Sequence, residues 1–262
     1  MIALDFSKTD KAKSAHDQKW ERFERKFYVT PEKMAFARSL LSQLCLKDDK
    51  YPHGIINSLY FDTPDLDLYQ KSDDGSYKRD KIRIRWYDKP DPDQQEVPVY
   101  LELKSKKGYA SKKYRRRALA PVERLCKMQA GNAIIDFNVM SLTLSEFGYF
   151  SEEPLLPVIL ISYERYRFVE IMTGTRLSLD FKIRSTLVIP GAENSRPDLM
   201  LEGGIIEIKG PSMSIPASLR SLNFLDTDWS RFSKYASCIE SQIERPGSVG
   251  LLRPSGRTEF YV

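Results

Sequence analysis

Lys81-Ile82-Arg83-Ile84-Arg85-Trp86-Tyr87 alternates at every step. Successive side chains of an extended strand point to opposite faces, so Lys81, Arg83, Arg85 and Tyr87 share one face, and Ile82, Ile84 and Trp86 the other. The stretch therefore predicts a strand that is cationic on one side and apolar on the other. The habit recurs along the chain. Tyr100-Leu101-Glu102-Leu103-Lys104-Ser105-Lys106 groups Glu102, Lys104 and Lys106, and Ile205-Ile206-Glu207-Ile208-Lys209 sets Glu207 and Lys209 against Ile206 and Ile208. Over 176–182, Arg176, Ser178, Asp180 and Lys182 oppose Leu177, Leu179 and Phe181. Arg165 pairs with Arg167 over 163–168, and Glu24 with Lys26 over 23–28. Lys113, Arg115 and Arg117 form a basic run beside them.

Taken singly, each such strand reads as the solvated face of an antiparallel sheet whose other face covers a core. Together they read differently, because the repeated faces are dominated by cations, with about one acid to a strand. Two like charges about 6 Å apart at an effective dielectric near 20 repel by roughly 3 kcal/mol. A surface gathering many of them needs interleaved carboxylates or a bound polyanion, and the acids are too few. Phosphate is the natural complement, since it takes bidentate bonds from Arg and point-charge contacts from Lys. A sheet with one charged and one apolar face can close into a barrel with a wet, cationic lumen and helices outside. Nucleic acid is the competing polyanion, and Tyr77, Tyr87, Tyr109 and Tyr114 could stack bases. No helix-turn-helix, RNP-like or zinc-finger signature accompanies them, and the cations alternate with core residues instead of lining a helix.

The rest of the chain is consistent with an intracellular globular protein. Its 262 residues can bury a substantial core, with 41% hydrophobic and 29% charged residues. The net charge is only +5, but the 41 Lys and Arg are clustered. Cys45, Cys126 and Cys238 are widely spaced in apolar or helical contexts, which predicts reduced thiols and a cytoplasmic location. C-x-x-C spacing is absent, and with only His16 and His53 a histidine metal site or triad is not expected. Gly-x-x-x-x-Gly-Lys-Ser/Thr is missing, which excludes a P-loop enzyme. No apolar run reaches the length of a membrane span. Residues 1–18 read as a flexible tail, 19–243 as the folded domain, and 244–262, rich in Pro, Gly and Ser, as a loose tail. Helices are expected after Thr30-Pro31, with Met34, Ala37, Leu41 and Leu44 as the apolar stripe, and over 121–131, 139–150, 215–225 and 231–243.

From Glu21 to Ile243 the chain resembles the VTC domain, the polyphosphate-polymerase core of the vacuolar transporter chaperone family, within the triphosphate tunnel metalloenzyme (CYTH-like) superfamily. The residues that carry the resemblance are Glu24-Arg-Lys26-Phe-Tyr, Leu59-Tyr-Phe-Asp62-Thr, Ile82-Arg83-Ile-Arg85-Trp-Tyr, Glu102-Leu-Lys104 and Ser111-Lys-Lys113-Tyr-Arg115. Tyr163-Glu-Arg165-Tyr-Arg-Phe, Arg176-Leu-Ser-Leu-Asp180, Glu207-Ile-Lys209 and Phe232-Ser-Lys234-Tyr follow in order. The resemblance implies an α+β fold built on a closed, eight-stranded antiparallel barrel, a size at which side chains fill or line the interior. It implies that Lys26, Arg83, Arg85, Lys104, Arg165 and Lys209 serve phosphoryl transfer, and that Lys113, Arg115, Arg176 and Lys234 bind substrate. It further implies that Glu207 holds Mn²⁺ or Mg²⁺. The expected activity is transfer of the terminal phosphate of ATP to polyphosphate, with positioning and charge stabilisation as the protein's share. A tripolyphosphate or nucleoside-triphosphate hydrolase and a non-catalytic polyanion binder are the alternatives. One departure bears on the choice: hydrolytic tunnel enzymes begin Glu-x-Glu-x-Lys, whereas here Arg22 precedes Phe23-Glu24-Arg25-Lys26. Loss of that first acid argues against a two-metal triphosphatase. The expected partners are ATP or another triphosphate and polyphosphate, with no nucleic acid and no membrane segment.

Overall fold

A computed structural model gives the fold. It describes residues 6, 23–88, 96–108, 110–121, 125, 136–188, 198–210, 214–225, 229–230, 232–244, 250–252 and 258–260. In chain order the strands are β1 (Phe23–Val29), β2 (Cys45–Lys47), β3 (His53–Asp62), β4 (Lys78–Tyr87), β5 (Glu96–Lys107), β6 (Ala110–Pro121), β7 (Leu156–Glu170), β8 (Arg176–Leu187), β9 (Leu199–Gly210), β10 (Trp229–Ser230), β11 (Gly250–Leu252) and β12 (Thr258–Phe260). The helices are α1 (Met34–Leu44), α2 (Asp67–Asp73), α3 (Phe137–Glu146) and α4 (Lys234–Glu244), with 3-10 turns at Pro31–Lys33 and Ala217–Leu225. The helix expected over 121–131 and the tail expected over 1–18 lie almost wholly outside the described residues. Within 244–262, β11 and β12 pair with each other.

The chain forms two compact units. In the first (Met1–Gln18, Asn57–Ile161 and Thr186–Arg196), β3, β4, β5 and β6 are hydrogen-bonded neighbours in that order. The alternation read in the sequence holds. Ile82, Ile84 and Trp86 of β4, Val99, Leu101 and Leu103 of β5, and Ala118 and Ala120 of β6 are buried in one core with Met140 and Leu144 of α3. Asp136 starts α3 by accepting the amides of Asn138 and Val139, satisfying two donors that lack intrahelical partners. The short helix α2 went unpredicted. It is held by Asp62, fully buried at the end of β3, whose carboxylate accepts the amides of Thr63, Leu68 and Tyr69.

In the second unit (Lys19–Ile56, Ser162–Ser185 and Pro197–Val262) the order is β10, β1, β9, β8, β7, with β2 added on β7. Leu177 and Leu179 of β8 and Ile206 and Ile208 of β9 pack under Ala37, Leu40 and Leu41 of α1 and under Leu219, Leu222 and Leu225 of the 3-10 segment. In both units, then, the helices cover the apolar face and leave the cationic one. β11 pairs with β9 in parallel, whereas β1 with β9, β4 with β5, β5 with β6 and β8 with β9 pair antiparallel. Within each unit the strand order is an open path.

Lys182 corrects one expectation. The register of β8 shifts between Phe181 and Ile183, and Lys182 sits at φ 50°. This bulge takes it off the row of Arg176, Ser178 and Asp180, and its ammonium pairs instead with Glu164 at 2.7 Å. Close approach matters at Gly203, where φ is 76° and a Cβ would lie 2.5 Å from the Val29 carbonyl oxygen. Any side chain there would press β9 away from β1.

The turn after β7 is tied by Glu170, which is buried and accepts the Met172 amide at 3.0 Å, the Thr173 amide at 2.7 Å and the Ser218 hydroxyl at 2.8 Å. The Thr173 hydroxyl and the Met172 amide lower this carboxyl to about 2. A folded-state value below the unfolded one means that stability is fully present above about pH 4.5 and is lost as pH falls toward 2. Wild type should therefore exceed Glu170→Gln in urea resistance at pH 6, and the gap should narrow by pH 3. A pH-independent gap would contradict this role.

Candidate functional site

Register turns the cationic face of the first unit into a lattice. Across β4, β5 and β6, Lys81 lies opposite Lys104 and Lys104 opposite Lys113. The next row is Arg83, Glu102 and Arg115, and the one after it Arg85, Tyr100 and Arg117. Like charges directly opposite one another destabilise a sheet, so a row of three lysines favours anions beside it, of which the Glu102 carboxylate, 2.7 Å from Lys113, is one. Glu102 is the only acid in these rows, and it is 1% exposed. Its Oε2 accepts Arg83 Nε at 2.9 Å and Nη2 at 2.7 Å, while Arg83 Nη1 donates to the Tyr60 hydroxyl at 2.9 Å. Arg85 donates from Nε to Ser58 at 3.1 Å. On the other side, Lys113 Nζ and Arg115 Nε approach Oε1 at 2.7 and 3.3 Å. Burial opposes ionisation of Glu102, but Arg83, Arg85 and Lys113 outweigh it and hold the carboxyl well below the usual range. Desolvation, with Arg83 and Arg85 adding to it against the pull of Glu102, lowers Lys113 to about 8.

The second unit builds a different cluster from β1, β7, β8, β9 and α4. Asp180 is fully buried, and Arg165 clasps it through Nε at 2.5 Å and Nη2 at 2.7 Å. Lys234, at the start of α4, reaches the same carboxylate at 2.5 Å. Arg165 Nη2 also donates to Glu207 Oε2 at 3.1 Å, and Lys209 lies 3.2 Å from Glu207 Oε1. On the neighbouring strand Lys26 faces Glu207 in register and pairs with Glu24 at 3.1 Å. Burial works against charge on Glu207, but Lys209, a hydrogen bond with Glu24, Arg165 and Lys26 hold it well below the usual range.

The structure thus gathers Arg83, Arg85, Lys104, Lys113 and Arg115 on one sheet face, and groups Lys26, Arg165, Lys209, Lys234 and Glu207 in the other unit. There Arg176 is exposed and faces Lys209 across β8 and β9. Sequence reasoning missed Glu102 and Asp180 as hubs, and Glu24 as a neighbour of Glu207. Their parity was readable, but their partners depend on register. Among the described residues no group of three or more His, Cys, Asp or Glu is placed to hold a metal. Two neighbouring carboxylates do suit Mg²⁺ or Mn²⁺, which bind through one or two carboxylates plus phosphate oxygens and waters. Glu207 and Glu24 fit that pattern.

The sequence model of the VTC domain matches residues 21–243. The chain belongs to the VTC-domain family. Two solved structures align with this VTC-domain chain at low identity. A candidate adenylate cyclase from Bacillus halodurans is 15% identical, with 80% of this chain and 92% of that one covered and a TM-score of 0.46. A candidate adenylyl cyclase from Hippeastrum with a dominant triphosphatase activity is 18% identical, with 84% and 95% covered and a TM-score of 0.44. No curated protein matches the VTC-domain chain in sequence. Among its described residues no helix is long and apolar enough to cross a membrane.

Proposed function

We propose that this VTC-domain protein binds triphosphates and polyphosphate and transfers the terminal phosphate of ATP to a polyphosphate chain. The observation that carries the reading is the row Lys81, Lys104 and Lys113, one step from the row Arg83, Glu102 and Arg115. Such a row is stable where it meets a chain of phosphates. The family supports the same substrate class. Closure of the strands into the eight-stranded tunnel that the resemblance implies belongs to this reading. So does a cytoplasmic location, with which the buried free thiols of Cys45 and Cys238, pushed up by burial to about 11 and 12, are consistent.

In this reading, as the resemblance implies, Lys26, Arg83, Arg85, Lys104, Arg165 and Lys209 serve phosphoryl transfer by balancing charge on phosphate. Lys113, Arg115, Arg176 and Lys234 hold the rest of the chain. Glu207, with Glu24 beside it, would hold Mn²⁺ or Mg²⁺, which supplies further positive charge at the phosphate oxygens. Little covalent work is asked of the protein, since phosphoryl transfer depends mainly on in-line positioning and electrostatics. Incubating the purified protein with ATP and Mn²⁺ or Mg²⁺, then sizing the product on a gel, tests the reading. Long chains support the polymerase, whereas free phosphate alone means a hydrolase on the same fold. Saturable polyphosphate binding without turnover means a binder.

Arg83→Ala with Arg85→Ala is expected to weaken tripolyphosphate binding by calorimetry, each lost charge-assisted bond costing about 1.5–3 kcal/mol. Unchanged affinity in a folded double variant would remove these two arginines from the site.

A further inference from the structure

The two oxygens of Glu102 do unlike things. Oε2 takes two directed hydrogen bonds from Arg83, whose side chain is 18% exposed and is tied again to Tyr60. Oε1 is met instead by Lys113 and Arg115, at 2.7 and 3.3 Å. Each is a single contact, whereas Arg83 grips its oxygen twice. Their owners are also the accessible ones, with side chains 43% and 40% exposed. Arg115 has a second support, since its guanidinium lies 3.4 Å over the Tyr100 ring. It can leave the carboxylate and keep that platform.

We infer that Glu102 is a built-in counter-anion: its Oε2 fixes Arg83 permanently, while its Oε1 holds Lys113 and Arg115 only until a phosphate displaces it. This rests on reading the face as a phosphate site, but not on which reaction follows. Its consequence is a tuned grip. A face this cationic, with no internal competitor, would hold a long polyanion so tightly that the chain could neither advance nor leave. With Oε1 waiting beneath them, Lys113 and Arg115 exchange one carboxylate oxygen for one phosphate oxygen, so each step is close to balanced. Release is then faster than the cation count implies.

The inference predicts a result opposite in sign to the usual loss on mutating a site carboxylate. Glu102→Gln keeps the shape and an oxygen for Arg83, and it removes the competing charge. Measured in buffer with chelator, so that no metal contributes, it should bind tripolyphosphate roughly tenfold more tightly, mostly through slower dissociation. A carboxylate with only a structural or metal-holding role gives equal or weaker binding in the folded variant, and that result would overturn the inference. Should the variant not fold, wild type serves. In side-chain ¹⁵N spectra, added tripolyphosphate should shift Lys113 Nζ and Arg115 Nε and leave Arg83 Nε in place. If Arg83 moves with them, the division of labour is wrong although the phosphate site stands. If wild type binds no tripolyphosphate at all, the phosphate reading itself falls, and the inference with it.

Discussion

Asp180→Ala is expected to lower stability by about 3–5 kcal/mol, because it leaves buried cations without their counter-ion. Asp180 is fully buried, and the Arg165 and Lys234 side chains it holds are only 13% and 12% exposed. Two cations lose one carboxylate, and water cannot readily replace it. Burial disfavours the Asp180 charge, yet Arg165 and Lys234 keep the carboxyl below its usual value, so the cluster is held together by that charge. Asp180→Asn retains the shape and acceptor oxygen and should fall between wild type and Asp180→Ala. Urea denaturation of the three proteins measures the series. A loss below about 1 kcal/mol for Asp180→Ala, the range of exposed pairs, would mean that solvent reaches Arg165 after all.

Glu207→Gln should abolish turnover, whatever its product, while tripolyphosphate binding through the Arg and Lys set largely survives. Glu207 lies among Lys209, Arg165 and Lys26, with Glu24 nearby on β1. An acid in that position has two possible uses. As a metal ligand it brings a divalent cation to the transferring phosphate, and the amide of Gln, with its weaker donor oxygen, cannot replace it. As an ion-pair partner it only relieves repulsion, and then Gln would give a less stable protein that keeps most of its metal-dependent rate. Turnover measured across a range of Mn²⁺ and Mg²⁺ concentrations, beside a melting curve, separates the two. Near-normal turnover in a folded variant rules out the metal role.

Except at Lys182, the face of the charged side chains on these strands was legible in the sequence because strand alternation is a local property. Ile82, Ile84, Leu103 and Ile208 are buried where parity placed them, and the stripe Ala37 and Leu41 of α1 meets the core. Who meets whom was not legible. That Glu102 faces Arg83 on one side and Arg115 on the other follows from two strand registers, which no single segment encodes. Asp180 shared a face with Lys182 in the sequence pattern, but a bulge at Lys182 cut that row, and period-two reading has no means of detecting it. The 217–225 segment gave a helical apolar pattern yet folds as a 3-10 turn, since its buried leucines at 219, 222 and 225 recur every three residues. Helix α2 has a tertiary origin, in the buried cap of Asp62.

On the proposed phosphate-binding reading, the row Lys81, Lys104 and Lys113 would bear on time as well as affinity. Cations concentrated on one face draw a polyanion in from solution before any contact forms, and can raise encounter rates by about 10 to 1,000-fold. That pull reaches roughly 30 Å at 0.01 M salt but only about 8 Å at physiological ionic strength. Departure, by contrast, depends on short contacts that salt screens far less. Arrival and escape of a phosphate chain therefore answer to different properties of the medium, and ionic strength should alter how often a chain is captured much more than how long it stays.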